Sequence, residues 1–189
     1  GSEMCIRDSA TAAQAAICNG GSTVLTADSL VIASGPQTLP SYASSTATST
    51  ADEEILNVTF GTINSTSDCT TTGGTGSTLS MYSDYTSLTP ATVKTGDSVP
   101  LSVSIGTCGG NYGNFTNVFI DYNRDGDFAD AGEQAFTTTS TTQSPNTRSG
   151  NITIPSNVTA GLTRMRVVVA ESVTSPLSSG IGAFGYGEV

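Results

Sequence analysis

Histidine and tryptophan are both missing from this 189-residue chain. Without histidine, Ser-His and Cys-His nucleophile arrangements are excluded, and so is the commonest general base. Charge is scarce, at 12% of residues, and unevenly signed: 16 acidic against 6 basic residues leave a net charge of -10. A surface of that sign repels phosphate backbones and anionic headgroups, which excludes nucleic acid and membrane surfaces as partners. No window holds the roughly 18 consecutive apolar residues that a membrane helix needs, so no membrane insertion is expected. Residues 1–9 contain Glu3 and Asp8, lack an apolar stretch of the signal-peptide kind and fit nothing that follows. They read as an artefact or tag, and Cys5 is set aside with them.

The remaining cysteines, Cys18, Cys69 and Cys108, form no Cys-x-x-Cys pair. Without histidine co-ligands that spacing argues against zinc. Cys69 and Cys108 each sit in a Gly/Thr-rich loop beside an expected strand, a placement that favours a disulfide in a secreted domain. Cys18 is left to pair with Cys5, with another chain or with nothing.

What is present is hydroxyl, glycine and short apolar alternation. The stretch from Ser22 to Ala33 is rich in β-branched and aliphatic residues between Gly20-Gly21 and Gly35-Pro36, and reads as one long strand or a tight hairpin. Its apolar positions are Val24, Leu25, Leu30, Val31 and Ile32. Residues 10–33 thus form an N-terminal extension. Residues 34–51, with Pro36, Pro40 and a Ser/Thr/Ala run, read as a spacer able to extend about 50 to 60 Å. From Asp52 onward, turn clusters interrupt apolar-polar alternation at intervals of about ten residues, as in a sandwich. Strands are expected near Glu54–Ile63, Thr78–Ser83, Ser98–Ile105, Asn117–Asp121, Glu133–Thr138, Arg148–Ile154 and Thr163–Ala170. The fold class is all-β, an immunoglobulin-like antiparallel β-sandwich over residues 52–189 with an N-terminal strand extension.

Several landmarks occur in order along that domain: Asp52-Glu53-Glu54-Ile55, Gly61-Thr-Ile-Asn64, Tyr82-Ser-Asp84, Phe119-Ile-Asp-Tyr-Asn-Arg-Asp-Gly-Asp-Phe128, Gly132-Glu133, Gly161-Leu-Thr-Arg-Met-Arg166 and Tyr186-Gly-Glu-Val189. Together they resemble the GEVED domain, a β-sandwich module of large secreted proteins from Bacteroidetes and related bacteria. The resemblance implies an extracellular or cell-surface location. The family typically ends in Gly-Glu-Val-Glu-Asp-Tyr, and this chain stops after the first three residues of that motif, so the resemblance also implies a sandwich lacking its final strand.

Asp121-x-Asn123-x-Asp125-Gly126-Asp127 is the most chemically pointed segment. Alternating oxygen ligands around a glycine turn suit calcium, with Asp130 or Glu133 completing the shell. The match to an EF-hand loop fails where Gly132 takes the place of the bidentate Glu. The alternative is a β-turn capped by Asn and Asp side chains without metal. Arg164 and Arg166 fall on one face of a strand and are expected to pair with surface carboxylates. Asp52, Glu53 and Glu54, at a strand start, are expected to be solvated rather than catalytic, and no enzymatic activity is anticipated. Asn57, Asn64, Asn114, Asn151 and Asn157 begin N-x-Ser/Thr sequons. Ser29 and Ser98 lie in Asp-Ser-aliphatic triplets that resemble a bacterial O-glycosylation pattern.

A sandwich without its last strand exposes an edge that another extended segment can complete. Residues 22–33 supply such a segment, and passing it head-to-tail builds filaments. The leading expectation is therefore a homopolymeric extracellular fibre subunit. The rival is an accessory adhesion or carbohydrate-binding module of a larger secreted protein, binding surface glycans through Tyr82, Tyr85, Tyr112 or Tyr122.

Overall fold

The computed structural model describes residues 39–189 and, as backbone alone, the strands β1 (Ala10–Ala12) and β2 (Leu25–Ala27). Gly1–Pro36 and Gln37–Val189 are two separate compact units. In the first, β1 and β2 pair antiparallel, with Ala10 opposite Ala27. Val24, Leu30, Val31 and Ile32 lie outside the described residues, as do Cys5 and Cys18.

The second unit is an antiparallel β-sandwich. Its first sheet has the order β10 (Asn146–Thr153), β6 (Ser98–Thr107), β4 (Glu53–Phe60), β5 (Ile63–Thr66). Its second sheet runs β13 (Tyr186–Glu188), β11 (Met165–Glu171), β7 (Gly113–Ile120), β8 (Gln134–Thr137), with β9 (Thr142–Gln143) also on β7. Alternation explains the register. In β6, Val99, Leu101, Val103 and Ile105 all point inward, and their intervening neighbours lie on the other face. They meet Ile55, Phe60 and Ile152 of their own sheet and Val118, Ile120 and Val169 of the other. Fully burying such side chains contributes about 1.5–3 kcal/mol each.

The second sheet is covered on its outer face too. There Phe119, Val168 and Ala170 form another core with Phe128, Phe184, Val189 and Ala47. Ala47 belongs to β3 (Ser45–Ala47), which pairs in parallel with β12 (Gly182–Phe184). Residues 39–51 are therefore part of the folded body rather than the spacer expected of residues 34–51, because Ala47 and the Tyr42 ring fill space over the sheet.

Two expected strands also differ. Residues 54–63 do not run as one strand: the chain reverses at Gly61, whose φ of 57° is open to glycine, and returns as β5. Residues 78–83 form turns joined by a single bridge between Thr78 and Tyr82. That segment covers the edge expected to lie open beside the last strand: Val189 N–H donates to the Met81 carbonyl at 3.2 Å, and Ser83 N–H donates to the Val189 carbonyl at 2.8 Å.

Cys69 and Cys108 form the expected disulfide, tying the loop after β5 to the end of β6 across 39 residues of sequence. Replacing both by serine should lower stability by about 4 kcal/mol on the chain-entropy model. Urea unfolding would read this as a lower midpoint, whereas an unchanged midpoint would show that the bridge constrains nothing.

Candidate functional site

The acidic loop leaves β7 at Asp121 and turns back at Glu133. Arg124, with φ 66°, and Gly126, with φ 99°, make the reversal, and a Cβ at Gly126 would lie 3.0 Å from the Pro40 ring. Asp121 is buried and serves the backbone: Arg124 N–H donates to Oδ1 at 2.6 Å and Gly126 N–H to Oδ2 at 3.1 Å. The Tyr42 hydroxyl donates to Oδ2 as well, at 2.7 Å. Burial, together with that hydrogen bond, pushes the Tyr42 hydroxyl up to about 12. Glu133 is also buried, accepting Tyr122 N–H at 2.9 Å and Asp130 N–H at 3.4 Å. Only Asp125, Asp127 and Asp130 face solvent together, with carboxylate oxygens within 4.8 Å of one another. Asn123 turns its amide nitrogen toward them, donating to Asp125 at 2.9 Å and Asp130 at 2.6 Å. The hydrogen bond from Asn123 heads the causes that hold Asp125 below the usual carboxylate range. Of the six residues expected to share one cation, three stand together and two cap backbone.

Beside this loop, Tyr42, Ser44, Thr46, Tyr82, Arg164 and Arg166 line a cleft of about 340 Å³. Arg164 lies over the Tyr42 ring at 4.6 Å, and Tyr42 in turn stacks on Phe128 at 5.2 Å. Arg166 is buried over Phe128 at 4.9 Å and donates to the Gly180 carbonyl. Neither arginine makes a hydrogen-bonded ion pair among the described residues, although Asp84 lies near enough to Arg164 to interact with its charge, and Arg164 Nε is buried with no acceptor. The reason is positional. Arg166 shares a face with Val168 and Ala170 and points into the second core, away from the acidic surface. Tyr42 was not legible as a site residue, since a lone tyrosine in a Ser/Thr/Pro stretch carries no pattern.

At the far end of the sandwich, Glu53 and Glu54 are buried, not solvated, together with Glu171 and Glu188. The signal was present in outline: Glu53 stands two residues before the inward-facing Ile55. Glu188 accepts Ile55 N–H at 2.8 Å and the Ser83 hydroxyl at 2.7 Å, so it completes the start of β4 from across the sandwich.

The family model of the GEVED domain matches residues 115–189. Over those residues the chain is similar to a GEVED domain. No curated protein and no solved structure matches the chain. The matched segment holds the acidic loop, both cleft arginines and Gly187-Glu188-Val189, so the glutamate of the GEVED motif is here a buried backbone cap. Residues 39–112 lie before the match, yet Ala47, Ile55 and Met81 all contact or bond the GEVED segment.

Other expected sites scatter around the GEVED domain and its partner sheet. Asn64, Asn151, Asn157 and Ser98 are exposed, and Asn57 is half-buried with its amide donating to Asn64. Asn114 is fully buried, which leaves no room for a glycan. Ser29 lies outside the described residues, and Leu25 is described only as backbone in β2. Of the tyrosines, Tyr82 lines the cleft, Tyr122 packs on the inter-sheet core, Tyr112 is exposed and the Tyr85 hydroxyl reaches the Thr66 carbonyl.

Burial pushes the Glu53 carboxyl up to about 8, with Glu171 facing it. Burial pushes Glu54 up to about 7, with Glu188 and Asp68 facing it. Raised carboxyls favour the proton in the fold, so their stabilisation is complete below the ordinary carboxylate range near 4.5 and is lost as pH rises through about 7 and 8. In cation-free buffer the melting temperature should fall steadily across that interval, and Glu53→Gln should flatten the fall. A profile rising over the same interval would contradict the buried geometry.

Proposed function

We propose that this chain is a non-catalytic binding module of the extracellular or cell-surface kind, and that its ligand is an acidic saccharide. The observation that supports this most directly is the pair of arginines in the Tyr42/Tyr82 cleft. On a chain with only six basic residues, two line one cleft without a hydrogen-bonded ion pair among the described residues, Asp84 being the carboxylate near Arg164. Guanidinium groups present forked donors that match a carboxylate, and the Ser44 and Thr46 side of the cleft offers hydroxyl partners for a sugar ring. A cleft of about 340 Å³ is at the small end of ligand sites. The Cys69–Cys108 bridge favours an oxidising compartment. The exposed trio Asp125, Asp127 and Asp130 offers hard oxygen ligands for a calcium ion that would brace the neighbouring loop.

A second reading rests on a different feature. β10 pairs with β6 along all eight residues, and no other strand pairs with it among the described residues. Such an edge accepts an added strand, and the N-terminal unit of a second copy carries apolar candidates in Val24 and Leu25. On this reading the chain is a fibre subunit that adds head-to-tail at β10.

Two experiments address these readings. Titration with galacturonate oligosaccharides should give binding that neutral oligosaccharides do not, weakened about tenfold or more by Arg164→Gln, the worth of one charge-assisted hydrogen bond. No binding, or equal binding of neutral sugars, would sink the cleft reading. For the second, electron microscopy should show filaments from the full chain and monomers from one lacking residues 10–33. Monomers from both would remove the fibre.

A further inference from the structure

The buried carboxylates Glu53 and Glu171 are unusual in what accompanies them. Glu53 is 1% exposed and Glu171 3% exposed. The two carboxyls face each other, and no Lys or Arg side chain bonds either one among the described residues. Arg148, which comes to this end of the sheet, donates instead to the Asn114 and Ser140 carbonyls. Glu53 Oε1 accepts from Tyr112 N–H at 3.0 Å and from the Ser144 hydroxyl at 3.4 Å. Glu171 Oε1 accepts from the Ser172 hydroxyl at 2.9 Å. Their second oxygens, Glu53 Oε2 and Glu171 Oε2, are buried with no donor among the described residues.

A third oxygen stands in the same condition. Asn114 is 0% exposed. Its amide nitrogen donates to Ser144 Oγ at 3.0 Å and to the Tyr112 carbonyl at 3.5 Å, which orients the side chain and leaves Oδ1 without a partner. Asn114 is directly opposite Glu171 in the β7–β11 ladder, so the two side chains are neighbours on one face. Counting by twos from Val118 and Ile120, and from Val169, that face is the one turned inward between the sheets. Ser144 links Asn114 to Glu53 from the other side. All three unpartnered atoms are buried acceptors, carried by side chains that neighbour one another.

Two adjacent buried carboxylates need a counter-charge. A shared proton neutralises one of them but does nothing for the Asn114 oxygen, whose own amide protons are already engaged. A hard cation serves all three atoms at once. We infer that Glu53, Glu171 and Asn114 form a buried binding site for a divalent cation, calcium in preference to magnesium. The donors are all oxygens, and carboxylates with an amide carbonyl are typical calcium ligands. Magnesium keeps several of its waters and suits a site this enclosed less well. The chemistry differs from that of the exposed loop: here the ion would join β4 of one sheet to β7 and β11 of the other.

The experiment is thermal unfolding of the full chain above pH 8, in chelator and in millimolar calcium, for the wild type, Glu53→Gln, and Asp125→Asn/Asp127→Asn. Calcium at about a hundredfold over its dissociation constant should raise the wild-type melting temperature by about 5 to 10 °C. The loop variant should keep the shift and Glu53→Gln should lose it. A shift that persists in Glu53→Gln and vanishes in the loop variant overturns the inference, as does a wild type that responds to pH but not to calcium. Should Glu53→Gln fail to fold, calcium retained by the loop variant after gel filtration decides it: one equivalent is expected, and none refutes the site.

Discussion

The ladder between β7 and β11 is the constraint on which the rest of this structure depends. Its seven residue pairs, from Met165 opposite Ile120 to Glu171 opposite Asn114, are packed on both faces, with Met165 and Val167 half-buried. Because side chains alternate strictly, a slip of one residue would exchange the contents of the two cores. With the register as it stands, Val118, Ile120 and Val169 fill the space between the sheets, while Phe119, Val168 and Ala170 pack outward under the β3 and β12 cover. The same register delivers Arg166 to the cleft and sets Asn114 beside Glu171.

Polar groups in the interior are therefore confined to particular places along that ladder. One end carries carboxylates and Asn114, and the outer face carries an arginine over aromatic rings. Each group costs desolvation that ordinary packing does not return. Glu188 offsets that cost by capping Ile55 from across the sandwich, and Asp121 does so by gathering Arg124, Gly126 and Tyr42. The GEVED segment thus contributes not a free-standing half but most of the second sheet and β10 of the first, completed by β4, β5, β6 and the residues around Ala47 that precede it.

Some of this was legible beforehand. The alternation in β6 and β10 and the Cys69–Cys108 bridge both follow from local pattern. The linker reading of residues 34–51 failed because Tyr42 and Ala47 are held by partners more than seventy residues away, Asp121, Phe128 and Phe184 among them. The acidic loop was recognised as a unit, but not the division of its carboxylates between backbone caps and an exposed trio. That division depends on which oxygens meet N–H groups once the loop closes.

The all-β class, the positions of most strands and the resemblance to the GEVED domain are local properties of the chain, since they rest on two-residue periodicity, turn residues and ordered motifs. It took the folded chain to bury Glu53 and Glu54 and to turn Arg166 into the second core. A charged residue in a strand faces either water or the interior according to which side its neighbours cover. In a sheet covered on both sides, that choice is made by segments distant in the chain.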